Sequence, residues 1–299
     1  MKKNVSFFCL LTFASLGCYF FFQYNIKSKD GFSLSKITAP MQYREDFSFP
    51  PLDLDHQREL AVALSQPYHY LAKGGQCFVF ISSDEQYVIK FLRHSRHKIP
   101  FFAEFTMPAF VKSRVTKSVE KKKAKLERDL LSYSIATHNF PNQTALICTH
   151  LNPTKTLQTS LKVTDKHNRK YSIDLDTHQF IVQKKAKPFF DTLLEMIQEG
   201  KKEEIKNGID ALLSFLRERS QMGIFDRDAR LATNFGFLGS TPVEIDIGSF
   251  RFDPSRKVSK VFLQDIYHII TPMQEWLNKN DPDLANFLHD KMKTLEIEI

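Results

Sequence analysis

Apolar positions along this chain change their spacing several times, and each change predicts a different element. Val5–Phe22 (VSFFCLLTFASLGCYFFF) is an uncharged run of 18 residues behind Lys2 and Lys3, at the lower end of the length that crosses a bilayer. A cleaved signal segment competes with that reading through the small residues of Ala14–Gly17, as does a loose lipoprotein box ending at Cys18. Tyr19–Phe22 carries the apolar run past all of these cleavage points and favours an uncleaved anchor. Residues 25–66 then mix polar and charged positions with Pro40, Pro50 and Pro51, the pattern of a tether with one short helix at Asp55–Ser65.

From Tyr68 the period falls to two. Cys77–Ser82 and Tyr87–Leu92 alternate as strands around a turn at Ser82–Gln86, and Ala145–His150, Lys170–Asp174 and Gln179–Lys184 follow as further strands. Between these groups, Ile99–Val111 (IPFFAEFTMPAFV) is an apolar insertion that packs on the sheet or dips into a membrane surface. Glu120–His138 has helical spacing, with Leu126, Leu130 and Ile135 on its apolar face. Lys185–Pro188 reads as a hinge. Beyond it Ile205, Ile209, Leu212, Leu213 and Leu216 trace one helix face, and Gly223 follows where a left-handed cap is expected. Val243–Ile247 reads as a buried strand, and Val261–Leu277 and Asp283–Met292 as two closing helices. The pattern predicts an α+β chain: a hydrophobic segment 1–24, a tether 25–66, and a folded region 67–299 in which a strand-rich part (67–184) precedes a helical part (185–299).

Composition narrows the chemistry. Hydrophobic residues make up 42% of the 299, enough for a real core, and the 28 phenylalanines read mostly as core. No CxxC, Cys/His spacing or H-E-x-x-H occurs, so a disulfide scaffold and a zinc site are both disfavoured. The net charge of +8 is uneven: Lys90–Arg128 holds twelve Lys/Arg against three acidic residues, which accounts for the whole excess. A solvated helix face is the plain reading of that segment. Contact with anionic lipid is the sharper one, and nucleic acid finds no interleaved aromatic or reading motif to support it. Around the hydrophobic segment, Lys27, Lys29 and Lys36, with Arg44 slightly further out, slightly outweigh Lys2, Lys3 and the amino terminus, which favours a single-pass anchor with the globular part in the cytoplasm.

Two stretches carry candidate chemistry. In Gly223–Phe250, Asp226-Arg227-Asp228 leads a loop that reaches Asn234, and Asp246-Ile247-Gly248 follows an apolar run. About 150 residues upstream, Ala72-Lys73-Gly74-Gly75-Gln76-Cys77-Phe78-Val79 precedes Tyr87-Val88-Ile89-Lys90. The glycine pair lets backbone approach a ligand closely. Lys90 is a lone cation in an apolar strand and needs a partner there.

Taken in order, these motifs resemble those of the protein-kinase-like superfamily over roughly residues 67–275. Aligned on Val79, the glycine-rich G-x-G-x-x-G-x-V keeps only its middle glycine, while V-A-I-K matches Tyr87–Lys90. H-R-D-x-x-x-x-N matches Asp226–Asp228 with Asn234, one residue later than the pattern asks, and D-F-G matches Asp246–Gly248. The resemblance implies a bilobal kinase-like fold and an ATP- and Mg²⁺-dependent phosphotransferase. It implies Ala72, Gly74, Gly75, Val79 and Lys90 around the nucleotide, Asp228 as base, Asn234 and Asp246 on the metal, and Glu127, or alternatively Glu120, as the helix partner of Lys90. The A-P-E motif is absent and only 51 residues follow Gly248, so a peptide-docking half is missing or reduced and the acceptor is unspecified. The competing expectations are a pseudokinase that binds nucleotide without turnover and a basic scaffold at the membrane.

Overall fold

The computed structural model describes residues 31–97 and 109–297. The expected anchor at 5–22 and most of the Ile99–Val111 insertion lie outside these residues. Among the described residues, no helix is long and apolar enough to cross a membrane.

The chain is mixed α/β, with its large sheet in the first half and most of its helices in the second. Helices α1 (Leu34–Ile37) and α2 (Leu54–Leu64) precede strands β1 (Tyr68–Lys73), β2 (Cys77–Ser82) and β3 (Tyr87–Leu92). The long α3 (Ala109–Asn139) follows, then β4 (Leu146–His150), β5 (Ser160–Thr164), β6 (Lys170–Asp174) and β7 (Phe180–Lys184). These seven strands form one sheet in the order β4-β7-β3-β2-β1-β5-β6, antiparallel except where β1 meets β5.

Alternation gives this sheet two different faces. Phe78, Phe80, Ile89, Phe91, Phe180 and Val182 point to one side and form a core with Phe32, Ile37 and Tyr68. Val79, Val88 and Lys90 point to the other side, toward a cleft. Register fixes Lys90 opposite Val79 on β2 and Ile181 on β7, so the cation sits in the middle of three strands.

Residues 31–66 are not a loose tether. Phe32 stacks edge-on against Phe78, Phe80 and Tyr171 at 5.3, 5.0 and 5.0 Å, and Phe47 is buried in the second core. Burying apolar rings holds this strap to the body.

A short strand β8 (Lys187–Pro188) occupies the expected hinge, and α4 (Phe189–Gln198) and α5 (Lys202–Gln221) follow. Gly223 takes φ +72°, closing α5 as its position predicted. Next come β9 (Ile224–Asp226), α6 (Leu231–Asn234), β10 (Phe235–Leu238), β11 (Thr241–Glu244), β12 (Phe250–Phe252), α7 (Ser259–Asn280) and α8 (Pro282–Ile297). The hinge strand pairs with β10, and β12 pairs with β9. One hydrophobic cluster joins α3 residues Leu130, Tyr133 and Ala136 to Ile209, Leu216, Phe250 and Ile269 of the helical half, so α3 bridges the two parts.

Candidate active site

Between the sheet and the helical half lies a cleft of about 610 Å³. Ala72, Gly74, Gly75, Val79 and Lys90 line it from the sheet, and Asp228 and Asp246 line it from the other side. Residues up to about 170 positions apart in sequence therefore meet at one opening.

Lys90 is the link between its walls. Its ammonium donates to the carbonyl of Ile245 at 2.5 Å, immediately before Asp246. Burial pushes its pKa below the ordinary lysine value, and the Asp246 carboxylate is the largest opposing pull. A cation so placed is short of counter-charge, which suits an anionic ligand.

Two arginines hold the glycine turn. Gly74 N–H donates to Cys77 O at 3.0 Å, Arg93 donates to Gly74 O at 2.7 Å, and Arg96 donates to Gly75 O. Gln76 reaches across to the far wall: its amide donates to Gly248 O at 2.7 Å and to Asp129 at 3.1 Å, and it accepts from Tyr133 OH at 2.8 Å. Ser132 completes the tie, donating to Ile247 O at 2.6 Å and accepting from Phe250 N–H at 2.7 Å. A β-carbon on Gly248 would lie 1.7 Å from Gln76 Oε1, so close approach is what this glycine supplies.

Glu127 is not the partner of Lys90. Both of its carboxylate oxygens bind the Arg44 guanidinium of the strap, at 2.6 and 2.7 Å. The α3 carboxylate that lines the cleft is Asp129, 4% exposed, held by Gln76 and 3.5 Å from His97 Nε2. Two residues along a helix is a turn of roughly 200°, so Glu127 and Asp129 face nearly opposite ways. Glu120, the alternative, is exposed.

The Asp-led loop separates the two aspartates cleanly. Asp228 opens on the cleft and pairs with Arg230 at 2.9 Å, with both side chains more than half exposed. Asp226 is buried, accepts from the Asp228 N–H at 3.0 Å and stands against Glu244, itself 0% exposed and ion-paired with buried Arg219. Burial raises the titration of both carboxyls, Arg219 pulls both the other way, and Asp226 adds to the rise at Glu244 as a like charge. Asn234 lies at the end of α6 rather than in the cleft lining. Its amide donates to Asp228 O at 2.6 Å and its side-chain oxygen accepts from Thr233 at 2.7 Å.

No family model and no curated protein sequence matches this chain. Among solved structures it is similar to the bifunctional kinase-methyltransferase WbdD, at 14% identity and a TM-score of 0.35, over 82% of this chain and 41% of that one. A co-crystal structure of WbdD with the kinase inhibitor LY294002 gives 16% and 0.33, over 76% and 45%, and a further WbdD structure gives 17% and 0.32, over 77% and 46%. Identity is low in each case, and this chain spans less than half the length of those chains.

As a metal site, the cleft offers oxygen donors of the hard kind: the Asp246 carboxylate at its wall and the Asn234 amide just behind it. Among the described residues there is no cluster of three or more His, Cys, Asp or Glu that could enclose an ion. That donor set suits magnesium, which keeps few protein ligands and completes its shell with water and substrate phosphates. Gln76, Asp129, Ser132 and Tyr133 were not singled out in the sequence. The one available signal was the i,i+4 pair Asp129/Tyr133 on a face otherwise set by Leu126 and Leu130.

Proposed function

We propose that this protein is a phosphotransferase that takes its phosphoryl group from ATP with magnesium and transfers it to a hydroxyl acceptor. The observation that carries the reading is the meeting of Lys90, the Gly74–Gly75 turn, Asp228 and Asp246 around one cleft. In this reading the Lys90 ammonium offsets phosphate charge, and the glycine turn lets backbone lie against the nucleotide. Asp246, with Asn234 behind it, holds magnesium, which supplies charge neutralisation on the phosphates when bound. Asp228 orients the acceptor hydroxyl and takes its proton, and the bond from the Asn234 amide to Asp228 O fixes the loop that carries it.

Lys90→Met and Asp246→Asn are expected to lower ATP turnover a hundredfold or more, about 3 kcal/mol of transition-state stabilisation, while the melting curve stays cooperative. Asp228→Ala is expected to stop transfer and leave nucleotide affinity nearly unchanged, because it faces the acceptor. Asp226→Ala is expected to act through stability instead. Wild-type turnover in folded Lys90→Met and Asp246→Asn would overturn the assignment.

A second reading, a nucleotide-binding pseudokinase, is favoured by the Asn234 side chain being engaged by Asp228 and Thr233. It predicts ATP·Mg²⁺ binding by thermal shift without hydrolysis or transfer. For residues 5–22 we propose a single-pass anchor with the globular part on the cytoplasmic side, where ATP is available.

A further inference from the structure

We propose that the end of the cleft beside Asp228 is a site for an anionic acceptor, a polyol bearing a phosphate or a carboxylate. The proposal rests on the phosphotransferase reading and names its substrate class. Lys125 and Arg128 of α3, Arg227 of the Asp-led loop and Arg251 of β12 line the same cleft as Asp228 and Asp246.

The backbone holds these four cations together. Strand pairing puts Arg251 opposite Phe225 and Phe250 opposite Asp226, so Arg251 lies beside the segment that continues into Arg227. The Arg227 N–H reaches Ser249 O at 3.4 Å. Arg251 donates to Arg128 O at 3.1 Å and to Phe250 O at 2.5 Å, which brings Arg128 of α3 to the same corner.

What these groups lack is a direct ion pair. None of the four makes an ion pair among the described residues, whereas Lys202, Lys206 and Arg256 each do. The buried Asp129, which lines the same cleft, is already engaged by Gln76 and His97. Burial lowers the proton affinity of Arg251; Asp129 opposes that, and Arg227 and Arg128 add to it through like-charge repulsion. Like charges held at one corner of a concave site raise the local potential for an anion. Guanidinium forks bind phosphate or carboxylate through paired hydrogen bonds.

The position selects the acceptor over the nucleotide. Lys90 and the glycine turn lie on the sheet wall, while Arg227 adjoins Asp228 and Arg251 lies on the strand paired with the segment leading into that loop. A hydroxyl next to an anionic group would be drawn in with the anion on the arginines and the hydroxyl toward Asp228. Its proton would pass to the Asp228 carboxylate as the oxygen forms its bond to the γ-phosphorus and ADP departs.

The test uses the full chain saturated with Mg·ADP. Glycerol 3-phosphate, glucose 6-phosphate and glucuronate are titrated against glycerol and glucose, with melting temperature and calorimetric affinity as readouts. The anionic probes are expected to bind at least tenfold more tightly than the neutral ones. That preference is expected to disappear in Arg128→Gln/Arg227→Gln and in Arg251→Gln, with Mg·ADP affinity kept. Lys117→Gln, an exposed change on the same helix outside the cleft, serves as the control and leaves the preference in place. Equal binding of charged and neutral probes would overturn the proposal. So would variants that retain the preference, or that lose Mg·ADP affinity to the same degree, because the cations would then belong to the nucleotide. Absence of Mg·ADP binding, together with arginine-dependent binding of the probes, would defeat the phosphotransferase reading while leaving the anion site standing.

Discussion

At the scale of single residues, two glycines packed behind residues of the cleft make different demands. A β-carbon at Gly248 meets only the far end of Gln76, whereas at Gly236 it would lie 2.5 Å from Lys187 O and 2.9 Å from Ala186 Cβ, the backbone and neighbour of the hinge strand. A side chain can swing aside; paired backbone cannot. Gly248→Ala is therefore expected to cost about 1–3 kcal/mol, the value of the Gln76 hydrogen bonds it displaces. Much of that should be recovered in Gln76→Ala/Gly248→Ala, a coupling that a double-mutant cycle reads from urea unfolding. Gly236→Ala is expected to cost more and to find no such rescue. Equal, additive losses at both sites would show that the Gln76 contact is not what holds Gly248 small. Positions of this kind also separate what could be read from sequence. Lys90, Gly74, Gly75, Asp228 and Asp246 stand at motif positions and could be named in advance. Gln76 and Ser132 matter through partners as far as 172 and 118 positions away, and no local pattern marks them.

At the scale of elements, β9, β11 and α5 meet in the buried group Asp226, Glu244 and Arg219. The carboxyl pair binds a proton more tightly folded than unfolded, since its titration is raised by burial. Its contribution is fully present below the ordinary carboxylate range and is lost as pH rises through the raised value. Asp226→Asn keeps an acceptor for the Asp228 N–H and offers Glu244 a permanent donor. Its melting temperature is expected to match wild type in acid and to exceed it progressively above that range; parallel curves would show that the pair carries no such proton. The elements also show where periodicity stops informing. β5 was not anticipated because Leu161 and Val163 are its only apolar residues, set in the polar stretch 152–170. α3 begins eleven residues earlier than the expected helix Glu120–His138, since Lys112–Lys125 is largely solvated and carries no buried face to read. The Glu127 assignment failed on helical phase, an error of two residues that spacing alone could not resolve.

At the scale of the whole molecule, the strap decides where the folded body begins. Phe32 closes an aromatic core, and Arg44 ties the strap to α3 through Glu127. Removing residues 1–30 is expected to leave a soluble domain with an unchanged melting curve, while the full chain sediments with membranes. Removing residues 1–47 is expected to expose Phe78, Phe80 and Tyr171 and lower stability sharply, as Phe32→Ala alone would by about 3–5 kcal/mol. A 48–299 fragment as stable as 31–299 would show the strap to be dispensable.

The join between Gly248 and β12 has a bearing on control. Phe250 is already paired with Asp226 two residues after the glycine, so little chain intervenes that could be rearranged by attaching a phosphate. For a phosphotransferase built this way the working arrangement is present as soon as the polypeptide folds, and the cell would set its output by abundance and acceptor supply. Protein purified from a heterologous host should accordingly need no activating enzyme, and phosphatase treatment should leave its turnover unaltered.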